Sequence, residues 1–114
     1  MTDGLSKSAK KQLRDLVYIA HERALRVSLV TLSKHFDRWH RGEIDAIEIA
    51  DRIREFDEGP SREVYRRFTW SRNEDLPRLV ADAIHSGLLD EAALSKEVVP
   101  AVNRWLVFLG DRRE

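Results

Sequence analysis

The chain contains no cysteine. Disulfide scaffolds, thiolate metal sites and cysteine nucleophiles are therefore excluded, and the composition suits a reducing compartment. Glycine is scarce, with five in 114 residues. Each falls where a helix end or a flexible start is expected, which leaves none for a phosphate-cradling loop. No apolar run approaches the roughly 20 residues that a bilayer-spanning helix needs. The opening MTDGLSKSAKK has an early aspartate and no apolar stretch, so no secretory signal is read there and a cytoplasmic location is the expectation. Net charge is also absent, with 20 Lys/Arg against 20 Asp/Glu. A neutral total argues against a dedicated nucleic-acid binder, whose footprint is a strongly basic domain.

What is present is a helical chain of one-domain size, 114 residues with nine aromatics and 42 % apolar content, enough to bury a core without staples. No stretch alternates with period two, and no Asn-Gly or Asp-Gly turn separates apolar runs. The expected fold is all-α: a compact bundle of about five helices in a single domain, 1–114, with one long N-terminal helix over about 6–41. Ser6 or Ser8 starts that helix and Gly42 ends it. A second helix is expected over about 43–58, with Glu43 and Asp45 in its first turn. Gly59-Pro60-Ser61 separates it from a short third helix over about 61–69. Asp75 is expected to cap a fourth that Gly87 closes, and Asp90 a short turn through Leu94. Pro100 opens a last helix, which Gly110 stops.

The long first helix carries the most informative pattern. At about 100° per residue, Leu13, Leu16, Val17, Ala20, Ala24 and Val27 gather on one face, whereas Leu25, Leu29, Leu32, Phe36 and Trp39 gather on another. Two differently aimed stripes on one helix call for two packing partners. The first, Leu13 to Val27, is read as the surface of an isologous homodimer. The alternative is that the last helix returns over it with Trp105 and Leu106.

Charge is unevenly placed along the chain. Residues 1–41 carry nine Lys/Arg against four Asp/Glu, residues 42–60 two against seven, and residues 61–114 nine against nine. A basic first helix beside an acidic second one offsets charge along their shared seam.

Motifs with chemistry are few. There is no G-x-S-x-G, Walker loop, H-E-x-x-H or EF-hand pattern. Asp37/His40 and Asp82/His85 are spaced as Asp-x-x-His, which puts each pair on one helix face. Bundle di-metal sites use a related Glu-x-x-His with carboxylates from neighbouring helices, here Glu48 or Glu55. With acids this frequent, both pairs read as solvated ion pairs, so no metal or cofactor is expected. Lys7, Lys10, Lys11 and Arg14 cluster at the start of the first helix. Arg62, Arg66, Arg67 and Arg72 interleave with Tyr65, Phe68 and Trp70. Both are footholds for phosphates and stacked bases. Arg78 and His85, with six residues between them, match the Arg-x4–6-His spacing of HEPN-type ribonucleases, and on those two residues the chain resembles that family. The resemblance implies a helical dimer cleaving RNA at a paired site. The reading favoured by the sequence is a small non-enzymatic interaction or regulatory protein that self-associates through its N-terminal helix, with no membrane contact. Nucleic-acid binding and ribonuclease activity are the alternatives.

Overall fold

The computed structural model describes residues 4–69 and 75–110. Among the described residues five α-helices follow one another: α1 (Lys7–His40), α2 (Ala46–Glu58), α3 (Pro60–Phe68), α4 (Leu76–His85) and α5 (Val99–Phe108), with a 3-10 turn at Glu91–Ala93 before α5. No strand occurs among them. The chain is all-α with one long N-terminal helix.

Helix ends follow from where orphaned backbone groups find partners. At the start of α1 the Ser6 hydroxyl accepts from the Ala9 N–H at 3.0 Å. At its end, Gly42 sits at φ +77°, and the N–H groups of Gly42 and Glu43 return to the carbonyls of Trp39 and Arg38 at 3.0 and 2.9 Å. That is a left-handed cap, open to glycine at little cost. α2 starts three residues later than expected. Asp45 is its N-cap rather than a first-turn residue, and its carboxylate accepts from the Glu48 N–H at 2.8 Å. Asp75 departs from expectation in the other direction. Its backbone is already helical and its side chain makes no cap bond; the carboxylate instead stands 3.9 Å from Arg78. Asp90 does cap the 3-10 turn, accepting from the Ala92 N–H at 2.9 Å.

Contacts group the residues into two units, 1–21 with 68–114, and 22–67. α1 contributes to both. In the first unit, α4 and α5 pack closely on each other. Leu76, Leu79, Val80, Ala81, Ala83, Val98, Val102 and Leu106 are buried there together with Ala9, Leu13, Leu16, Val17 and Ala20 of α1. A helix cannot bury its own face, so these α1 residues are covered by the rest of the first unit. Polar contacts tie the two parts at the surface: Gln12 Nε2 donates to Glu97 Oε2 at 3.1 Å, the Ser6 hydroxyl donates to the same carboxylate, and the Ser95 hydroxyl donates to Gln12 Oε1. The His21 ring stacks on Phe68 with centroids 5.6 Å apart and planes at 13°.

The second unit is different in kind. It comprises residues 22–40 of α1, all of α2 and most of α3, yet among its described residues the buried apolar ones are Ile44 and Ile49 alone. Its exposed apolar residues are many: Val27, Leu29, Val30, Trp39, Ile47, Ile53 and Tyr65.

Candidate interaction surface

Of the six residues expected at a dimer interface, Leu13, Leu16, Val17 and Ala20 are buried by their own chain, at 0–9 % exposure. That corrects the expectation for these four, which are not open to a second copy. Leu106 is buried and Trp105 half-buried in the same unit as these four. The physical reason is chain return: Ser95 and Glu97, far along the chain, bond back to Ser6 and Gln12 at the start of α1. The other two expected residues lie beyond that cover, Ala24 half-buried and Val27 66 % exposed.

No residue of α1 after Ala20 is buried. The second apolar stripe nevertheless runs on through Leu25, Leu29, Leu32, Phe36 and Trp39, spaced 4, 3, 4, 3. This alternation is the a/d seam of a helix that packs against another. Leu25, Leu32 and Phe36 are half-buried, and Leu29 and Trp39 are exposed, at 44 % and 38 %. One flank of the stripe is an open groove lined by Glu22, Leu25, Arg26, Leu29 and Val30. Arg26 donates there to Glu22, one turn before it, and this contact holds the Glu22 carboxyl below the usual carboxylate range and raises Arg26 further.

A second groove, of about 330 Å³, lies between α1 and α2, lined by Val27, Ser28, Thr31, Leu32 and His35 on one side and Arg52, Glu55, Phe56 and Pro60 on the other. His35 Nδ1 is buried without a hydrogen-bond partner, while Arg52 donates to Glu55 at 2.7 Å. Sequence reasoning did not identify this groove, nor that Ile47 and Ile53 of α2 stand exposed. For Ile47 a signal was present, since it falls about 160° round the helix from Ile49. Ile53 falls within about 40° of Ile49 and gave none.

The expected charge complementarity of the first two helices is expressed locally. The ion pairs of the second unit join near neighbours in sequence: Glu22–Arg26, Arg41–Glu43, Arg52–Glu55 and Asp51–Arg54. Asp57 and Glu58, at the end of α2, have no ion-pair partner among the described residues. They sit where the helix dipole favours cations, and α2 has no basic residue in its last turn.

The remaining candidates are dispersed. Lys7, Lys11 and Arg14 are exposed, whereas Lys10 is half-buried at the edge of the core face, and Lys11 pairs with Asp15 at 3.0 Å. Phe68 is a buried core residue and Tyr65 is exposed; Trp70 and Arg72 lie outside the described residues. Arg78 stands between two carboxylates, 3.9 Å from Asp75 and 3.8 Å from Asp82, and His85 is exposed at the end of α4. Asp82 thus faces Arg78 as well as sharing a helix with His85. Among the described residues, no three His, Asp or Glu side chains come together as metal ligands. No helix among them is long and apolar enough to cross a membrane.

No protein-family model matches the chain, and neither a curated protein nor a solved structure matches it.

Proposed function

We propose that this chain is a small non-enzymatic helical interaction module that associates with a second copy of itself through the second half of α1 and α2. The observation that carries the reading is the stripe Leu25–Trp39, which continues the apolar pattern of α1 to its end without a single buried residue. Its 4, 3 spacing matches a surface built to pack on another helix, rather than scattered exposed leucines. The choice of a second copy is supported by charge. Residues 22–41 carry five Lys/Arg against two Asp/Glu, and residues 42–60 two against seven. The two segments therefore carry net charges of opposite sign, +3 and −5, which two copies can offset against each other. A cytoplasmic setting and a regulatory role belong to the same reading.

The test is native mass spectrometry with light scattering on the wild type and on Leu29→Glu. A charge at a 44 %-exposed site is tolerated by the fold, and within a closed apolar seam it is not. The expected outcome is a dimeric wild type and a monomeric, fully helical variant. A monomeric wild type at tens of micromolar, or a variant that stays dimeric, overturns the reading. Retained oligonucleotide that is lost on neutralising Lys10, Lys11 and Arg14 replaces it with the nucleic-acid reading. RNA cleavage abolished by Arg78→Ala or His85→Ala replaces it with the ribonuclease one.

A further inference from the structure

We infer that the groove between α1 and α2 is a binding site for a small, uncharged and mainly apolar molecule that carries one hydrogen-bond acceptor. The inference goes beyond the self-association reading and does not depend on it. Every lining residue belongs to the second unit, so the site is complete within one part of one chain. It also occupies a different face from the stripe. At about 100° per residue, Val27, Ser28, Thr31, Leu32 and His35 centre about 90° round α1 from Leu25–Trp39, and Leu32 alone is common to both.

Size and walls suit a small apolar guest. The volume, about 330 Å³, falls at the lower end of the range for small-molecule sites, about 300–1,000 Å³. The apolar walls are Val27 and Leu32 of α1, Phe56 of α2 and Pro60 at the start of α3. Leu32 and Phe56 are half-buried, so each keeps apolar surface that its own chain leaves uncovered. Removing that surface from water is the driving force for binding.

Charge sets the ionisation state of the guest. Arg52 and Glu55 are the fixed charges among the lining residues, and Arg52 Nη1 donates to Glu55 Oε2 at 2.7 Å. The pair neutralises itself. A carboxylate, phosphate or ammonium would enter a largely apolar groove without a free counter-charge, and desolvation without compensation is unfavourable. An uncharged molecule meets no such penalty.

His35 supplies the directional contact. Its Nδ1 is buried without a partner, whereas Nε2 is not enclosed in this way. A neutral imidazole has one N–H and one lone pair to place. As with backbone groups, an under-satisfied acceptor is tolerated in an interior better than an orphaned N–H. The lone pair therefore falls on Nδ1 and the proton on Nε2. His35 presents a donor from the part of its ring that stays open, beside the groove it lines. A carbonyl or ether oxygen on the guest is its complement.

The test follows backbone amide shifts of the isotope-labelled full chain during titration with acetophenone, ethylbenzene, benzoate and benzylamine, four probes built on one ring. Saturable binding of acetophenone is expected, with shifts confined to residues 27–35 and 52–60. Ethylbenzene, which lacks the oxygen, is expected to bind about fivefold more weakly, the effect of one hydrogen bond. Benzoate and benzylamine, both charged at neutral pH, are expected to give no saturable shift. His35→Leu keeps the fold and erases the advantage of acetophenone over ethylbenzene. Ser28→Leu fills the groove and abolishes binding of both. No saturable shift with acetophenone, equal or tighter binding of a charged probe, or an advantage that survives His35→Leu overturns the inference. Titrations at roughly 20 and 200 µM chain separate this result from self-association. A probe displaced as chain concentration rises means that a second copy fills the groove, which overturns the ligand site and leaves self-association standing. Saturable acetophenone binding to a chain of monomeric mass does the reverse.

Discussion

Leu13→Ala separates the two halves of α1 most directly. Leu13 is 0 % exposed within its own chain and lies in the same unit as Leu106, Val102 and Val80. Truncating a fully buried leucine removes its transfer free energy and leaves a cavity, together costing about 3–5 kcal/mol. For 114 residues at about 0.05–0.15 kcal/mol each, total stability is about 6–17 kcal/mol, so one substitution removes a large share. With a urea slope of about 2 kcal/mol/M, the midpoint falls by about 1.5–2.5 M.

The decisive readout is concentration. A residue buried by its own chain contributes equally at all protein concentrations, whereas an interface residue contributes through mass action, about 2.7 kcal/mol for a hundredfold change. The gap between wild type and Leu13→Ala in urea unfolding is therefore expected to be the same at roughly 1 and 100 µM, within the error of linear extrapolation. A loss below about 1 kcal/mol, or a gap that widens by more than about 1 kcal/mol across that range, would refute the burial argument.

Four further outcomes follow from local geometry. Asp45→Ala removes the cap on the Glu48 N–H and is expected to cost about 1 kcal/mol, seen as faster amide exchange in the first turn of α2. Gly87→Ala places a Cβ in open space but at φ +83°, so the cost is conformational alone, about 1–2 kcal/mol, and melting falls by about 4–8 °C. His35→Leu relieves the buried, unpartnered Nδ1 and is expected to raise the melting temperature by about 4 °C; a drop would mean that the nitrogen has a partner. The depressed Glu22 carboxyl contributes stability above its unfolded-state pKa and loses it as pH falls through the lower folded value. The difference between wild type and Glu22→Gln in thermal melts should thus be present at pH 7 and vanish below the ordinary carboxylate range.

The contrast between what was readable and what was not follows the range of the interactions involved. Gly42 and Gly87 announced their helix ends because a left-handed cap is a matter of a few adjacent residues. The α2 boundary was misplaced by three residues for an equally local reason. Glu43 and Asp45 both satisfy a dipole argument, but only Asp45 reaches the Glu48 N–H. Asp75 offered the same capping chemistry and was drawn toward Arg78, a competition between two short-range partners that composition does not rank.

The stripes of α1 pose a harder problem. Periodicity revealed that the helix has two apolar faces and where one gives way to the other, near Ala24. It did not reveal which face the chain itself covers. That depends on later residues returning to the start of α1, as Ser95 and Glu97 do to Gln12, a contact between segments far apart in sequence. Nothing in the first helix distinguishes the two outcomes, since Leu16 and Leu29 are chemically identical and differ only in what lies above them. A stripe encodes the demand for a partner, and only the tertiary path of the chain says whether that demand is met at home. The demand of Leu13–Ala20 is met there, whereas no residue of Leu25–Trp39 is buried, and that contrast is why the proposed association is placed on the second half of the longest helix.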